Sequence, residues 1–130
     1  MNYITKVEGI RYINKLLNEK IRDFSSYNKI IRNKFNICTN IPIYISKDII
    51  LLPIKRFSSY DCMWINYINI KTYISLNNKV MIRFMDDTIK SFDISIRKLE
   101  RIMKNADIIR QFFEINLAWK RKHLKIKIFI

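Results

Sequence analysis

The sequence predicts an α+β fold, because its apolar residues keep a helical spacing near both ends and a strand-like alternation between them. An N-terminal helix should precede an antiparallel sheet of about five strands, a hairpin plus a meander. A C-terminal helix and a basic tail should follow. With 130 residues, 49% of them hydrophobic, the chain reads as one domain over 1–130 that can bury a core and is not broadly disordered.

The first helix is read from Ile10, Ile13, Leu17, Ile21, Phe24, Tyr27 and Ile31, with Arg11, Lys15, Asn18, Arg22 and Lys29 on the other side. That is one amphipathic helix from Ile10 to about Phe35, or two divided at Ser25-Ser26, whose hydroxyls could cap the second piece. Ile43-Tyr44-Ile45, the turn Ser46-Lys47-Asp48 and Ile49-Ile50-Leu51-Leu52 read as a hairpin bounded by Pro42 and Pro53. Trp64 to Leu76 reads as one long or bent strand. Asn77-Asn78 and Asp86-Asp87 are turn signals. Between them Val80, Ile82 and Phe84 alternate with Met81, Arg83 and Met85, and Ile89 to Ile94 returns.

Ser95 then caps the second helix. Its core stripe is Ile96, Leu99, Met103, Ala106, Ile109 and Phe113, widened by Ile102 and Phe112. Beyond it, Trp119-Lys120-Arg121-Lys122-His123 is a basic run, and Leu124 to Ile130 alternates as a last strand or a disordered arm.

Charge is the strongest functional signal. Lys and Arg number 25 against 11 acidic residues, a formal net charge of +14. A compact chain repels itself at that charge, so a polyanionic partner is expected, most often nucleic acid. The excess lies at the ends: net +5 over 1–35, +2 over 36–94 and +7 over 95–130. Heavy use of Ile, Asn and Lys is also what an AT-rich genome produces, so the lysine count is not a signal by itself.

Other chemistries find little support. One Gly in the chain excludes glycine-rich phosphate loops. Cys38 and Cys62 form no Cys-x-x-Cys pair and read as buried free thiols in strand-like surroundings, with a disulfide as the alternative. His123 is the sole histidine. Neither a zinc site nor a thiol nucleophile is therefore expected. Asp86-Asp87 reads as a solvated turn, and no motif brings Asp48, Asp61 and Asp93 together as nuclease ligands. No RNP-type aromatic motif suggests RNA binding. No cofactor or enzymatic activity is expected. The N-terminus lacks a secretory signal, and the longest apolar run, Ile49 to Ile54, is too short to span a bilayer. A cytoplasmic, nucleoid-associated protein without a membrane partner is expected.

The candidate DNA-contacting residues are the cations interleaved with this pattern: Lys29, Arg32 and Lys34 on the first helix, Lys55 and Arg56 after the hairpin, and Arg83 on the polar side of a strand. Arg97, Lys98, Arg101, Lys104 and Arg110 lie off the apolar stripe of the second helix. Glu100, Asp107 and Glu114 are too few to neutralise them.

The middle of the chain resembles the bacterial competence transcription factor family, ComK. The proline-bounded hairpin Pro42 to Pro53 is similar to that family's, and Cys62-Met63-Trp64-Ile65 resembles its Cys-x-Trp-Ile segment. Val80 to Ile94, ending in Phe92-Asp93-Ile94-Ser95, is similar to its following hairpin. Ser25-Ser26-Tyr27 matches a Ser-Ser-Tyr upstream, and Asn105 with Arg110 matches the last family helix. The resemblance covers 22–113 and leaves 114–130 as the basic tail.

It implies a DNA-binding activator of competence genes that binds paired A/T-rich boxes of double-stranded DNA, largely through the minor groove, as a homo-oligomer. It also implies control by a protease adaptor. Three departures suggest a divergent or shortened member: the helix lies close to the start, Lys29-Ile30 replaces a Gly-Arg, and the C-terminal region is short. The alternative implied is a non-activating interaction module that pairs with a full-length relative or with the adaptor.

Overall fold

The computed structural model describes residues 1–5, 9, 11–13, 15, 24–55 and 62–129, with side chains at 24, 25 and 116–129 outside that set; the described residues form two antiparallel sheets and two bounded helices, with further helical residues at 9, 11–13 and 15. The first sheet contains β1 (Tyr3–Thr5), β2 (Ile43–Ser46), β3 (Ile49–Pro53) and β4 (Met63–Asn66), in the order β1-β4-β3-β2. The second contains β5 (Ile70–Leu76), β6 (Lys79–Phe84) and β7 (Ile89–Phe92), in sequence order. Helix α1 (Phe24–Phe35) precedes β2, and α2 (Ile96–Phe129) ends the described chain.

The α+β class and both hairpins agree with the sequence, but among the described residues seven strands in two sheets replace the single sheet of about five. Two local features account for the difference. Tyr3–Thr5 is too short to show a period, and it becomes a strand only by pairing with β4, where Ile4 faces Trp64. The long strand expected from Trp64 to Leu76 is cut by a 3₁₀ turn over Tyr67–Asn69, so β4 and β5 lie in different sheets.

The helices also depart from expectation. Gly9, Arg11–Ile13 and Lys15 are helical and Ile13 is fully buried, as the apolar stripe requires; Ile10, Leu17, Ile21 and Arg22 lie outside the described residues. Helix α1 starts at Phe24, which puts Ser25 and Ser26 in its first turn rather than at its cap. Helix α2 runs 34 residues to Phe129, so the tail is helical rather than a strand or an arm. The physical reason is the lack of a stop: no Gly or Pro follows Pro53, and Lys, Arg, Leu and Ala favour helix. The side chain of His123 lies outside the described residues.

Cap and turn chemistry agree with the sequence. The Ser95 hydroxyl accepts the Lys98 N–H at 3.2 Å, and its carbonyl accepts the Leu99 N–H at 3.0 Å. Asn77 and Asn78 take φ of 51° and 61°, the left-handed pair that a two-residue hairpin of type I′ requires. The core stripe of α2 is buried at Leu99, Ile102, Ala106 and Ile109. One cluster of buried side chains spans both sheets and both helices.

Trp64 is wholly buried at its centre; truncating such a residue to Ala costs about 3–5 kcal/mol. The single Gly of the chain touches it. A Cβ on Gly9 would stand 2.8 Å from Cε3 of Trp64 and closer still to Cζ3. Only a residue without a side chain lets this helical segment approach the indole.

A second anchor sits at the β2 edge of the first sheet. The buried Tyr27 hydroxyl donates to the Pro42 carbonyl at 2.7 Å and accepts the Tyr44 N–H at 2.8 Å. An exposed edge strand invites pairing with other chains, and here the Tyr27 hydroxyl occupies the Tyr44 N–H and the Pro42 carbonyl beside β2. Cys62 is buried as expected, whereas Cys38 is exposed. It lies in the loop between α1 and β2, not in a strand, where its neighbours Ile37 and Ile41 turn inward instead.

Asn66 is the buried polar residue of the described core, 2% exposed. Its Nδ2 donates to the carbonyls of Met1 (3.1 Å) and Asp48 (3.2 Å), and its Oδ1 accepts the Ile50 N–H at 3.1 Å. Asn66→Asp keeps the shape but turns the donor into an acceptor facing two carbonyls. Burial should raise that carboxyl's pKa in the folded state. The variant should therefore lose about 3–5 kcal/mol near neutral pH, and the deficit should shrink as pH falls and the acid is protonated. Urea unfolding across pH checks this; a deficit independent of pH would contradict it.

Candidate nucleic-acid interface

The structure sorts the candidate cations into groups. Arg97, Arg101 and Lys104 are exposed, and Lys98 is half-buried. Their spacings of four and three residues set Arg97, Arg101 and Lys104 on one stripe of α2. Among the described residues none of the four is in an ion pair. The first turn of α2 has no acidic residue, although carboxylates are what the positive end of a helix dipole favours. Arg97 and Lys98 instead add charge to that end, and Arg101 and Lys104 extend it along the helix.

Lys55 belongs beside this group. Its ammonium meets Asp93 at 3.1 Å, two residues before the Ser95 cap. Arg56, its neighbour in sequence, lies outside the described residues.

Lys29, Arg32 and Lys34 are exposed on α1. Arg32 and Lys34 lie in its last turn, where cations suit the dipole. Lys34 Nζ sits 4.5 Å over the Phe112 ring, and Phe35 meets Phe112 edge-on at 5.3 Å. The α1 cations thus lie toward a later turn of α2, about 12 Å along the helix from Lys104 by the rise per residue. They do not merge with the Arg97 group.

Arg83 is exposed on β6, facing Ile89 and Thr72 across the second sheet. Arg110 is not a free cation. Its guanidinium pairs with Asp107 at 3.0 Å and lies 5.9 Å over the Tyr67 ring. The Tyr67 hydroxyl donates to the same Asp107 oxygen at 2.9 Å. A shallow cavity of about 340 Å³ opens here, lined by Tyr67, Tyr73, Lys71 and Arg110 among others. Lys71 is also held, by Asp87 at 3.2 Å. This cavity offers no unpaired charge to an anion.

Asp86-Asp87 is a turn, with Asp87 at φ 66°. The Thr88 hydroxyl, then its N–H, and the Asn2 carboxamide hold the Asp86 carboxyl below the usual carboxylate range. Asp48 is exposed and Asp93 is engaged by Lys55, while Asp61 lies outside the described residues. No group of metal-ligating side chains occurs among the described residues. No helix among them is long and apolar enough to cross a membrane.

Burial, then the hydrogen bond to Asp107, pushes the Tyr67 phenol up from its ordinary 10.0 to about 12. A group raised on folding stabilises below its unfolded value and loses that contribution as pH rises through the folded one. Stability from this cluster should hold to about pH 10 and decline toward pH 12. Ultraviolet titration should show a late tyrosine that shifts to lower pH in Asp107→Asn; no shift would dissociate Tyr67 from Asp107.

A family model described as ComK protein matches residues 2–117. Searches of curated proteins and of solved structures return no match.

Proposed function

The chain belongs to the ComK family, and on that premise we propose that it is a transcription factor that binds double-stranded A/T-rich boxes through the minor groove and activates competence genes. One observation supports this most. Arg97, Lys98, Arg101 and Lys104 crowd the positive end of α2 with no ion pair among the described residues. Like charges three and four residues apart, and cations at a helix start, each cost the helix stability. A phosphate backbone is the partner that turns that local cost into binding free energy. Lys55, whose ammonium is paired with Asp93, borders this surface, and Arg56 is a further candidate contact. Lys29, Arg32, Lys34 and Arg83 are separate contacts on a longer duplex. Arg110 serves the Tyr67–Asp107 cluster and is given no DNA role.

Paired boxes imply a homo-oligomer, and a protein working on the nucleoid is placed in the cytoplasm. A second reading is a module that pairs with another chain or a protease adaptor without activating genes. Ile108 and Ile115, 41% and 68% exposed on α2, favour it, since apolar side chains one helical repeat apart suit a partner helix.

The two demands on Arg97 can be separated. Arg97→Glu puts an anion at the helix start and should raise stability by about 0.3–1 kcal/mol at low ionic strength. The same change should weaken DNA binding and reduce its salt dependence by about one unit of slope per lost phosphate contact. Thermal unfolding and fluorescence anisotropy read the two effects. An unchanged salt slope would show that α2 is the wrong surface.

A further inference from the structure

From Ile74 to Lys79, six consecutive residues of the β5–β6 hairpin are exposed. Ile74 and Leu76 are 56% and 48% exposed, unusual for aliphatic side chains in a sheet. Register places both on the face that also holds Lys79 and Arg83, since Leu76 lies opposite Lys79 and Ile74 opposite Met81. At the tip stand Asn77 and Asn78, and neither carboxamide has a hydrogen-bond partner among the described residues. No acidic residue occurs between Asp61 and Asp86.

We infer that the Asn77-Asn78 turn is the element that enters the minor groove and sets the preference for A/T; this rests on the DNA-binding reading above. The groove is about 6 Å wide and strands are about 4.8 Å apart, so the tip fits but the flanking sheet does not. In A·T pairs the groove floor shows only acceptors, adenine N3 and thymine O2, which the two carboxamide NH₂ groups match as donors. A G·C pair adds the guanine amino group, a donor that opposes them. Leu76 and Ile74 pack against the sugar walls or wedge a base step, as apolar side chains of minor-groove proteins do. Lys79 and Arg83 reach the flanking phosphates.

Charge selects this occupant over a second copy of the chain. A two-fold interface would bring Lys79 and Arg83 toward their own equivalents with no carboxylate on the ribbon to offset them.

The test uses the full chain and two labelled duplexes of equal length, one with an A/T tract and one G/C-rich. Both tip residues have positive φ, so Asn77→Gly/Asn78→Gly retains the turn while removing both carboxamides. Its thermal unfolding should match wild type. Its preference for the A/T duplex should fall by about 5-fold or more, with an unchanged salt slope. Lys79→Ala/Arg83→Ala should do the reverse, lowering the slope and leaving the preference. A folded glycine variant with full preference would overturn the inference while leaving the DNA reading intact. A wild-type chain with no preference would sink both. If Ile74→Ser/Leu76→Ser dissolved an oligomer and left the A/T preference unchanged, the face would be a protein interface instead.

Discussion

Asn66 fixes where one sheet ends and the other begins. Its carboxamide joins the N-terminus, the β2–β3 turn and β3, while its backbone N–H reaches the Asn2 carbonyl at 2.7 Å. Three residues on, Asn69 donates to the Met1 carbonyl at 2.6 Å, and its own carbonyl accepts the Met85 N–H at 2.8 Å. Asn2 in turn donates to Asp86 at 3.1 Å. A buried polar network is stabilising only when every member is satisfied. Asn66, the buried member here, is satisfied, and the half-exposed bonds of Asn69 and Asn2 tie down the 3₁₀ turn that redirects the chain from β4 into β5. That junction, with the burial of Val80, Ile82, Phe84 and Phe92, sets the place of the second sheet and of the hairpin it presents.

The proposed recognition surface follows from what the core leaves outside. Helix α2 buries Leu99, Ile102, Ala106 and Ile109, so Arg97, Arg101 and Lys104 face solvent. In the second sheet Val80, Ile82 and Phe84 turn inward, so Lys79 and Arg83 turn outward with Ile74 and Leu76. Tyr27 and Trp64, two residues of the motifs that carried the family resemblance, act in the core and at the sheet edge rather than on the surface. The resemblance is therefore mainly one of architecture, and the charges arranged on that architecture supply the chemistry.

Much of this was legible from residue order. The alternation of Val80, Ile82 and Phe84 and the stripe from Ile96 to Phe113 report one-sided burial. Asn77-Asn78, Asp86-Asp87 and Ser95 report local backbone needs. What escaped depends on partners distant in sequence. Tyr3–Thr5 is a strand only because β4 is beside it. Asn66 reads as one polar residue among strand formers until Met1, Asp48 and Ile50 converge on it. The lone Gly is visible in the sequence, but only Trp64 explains it. Arg110 looked like any helix cation, yet Asp107 and Tyr67 engage it. The hairpin tip is hard to see in the sequence because the net charge over 36–94 averages Lys71, Lys79 and Arg83 with the carboxylates at Asp48, Asp61, Asp86, Asp87 and Asp93; exposure marks it out.

Fluorescence anisotropy of the full chain against an A/T-box duplex and a G/C-rich duplex, over a salt series, is the most direct measurement. Minor-groove recognition predicts tighter binding to the A/T duplex that persists near physiological salt. Equal, weak and steeply salt-dependent binding to both would mean that the charge attracts any polyanion, and would contradict it.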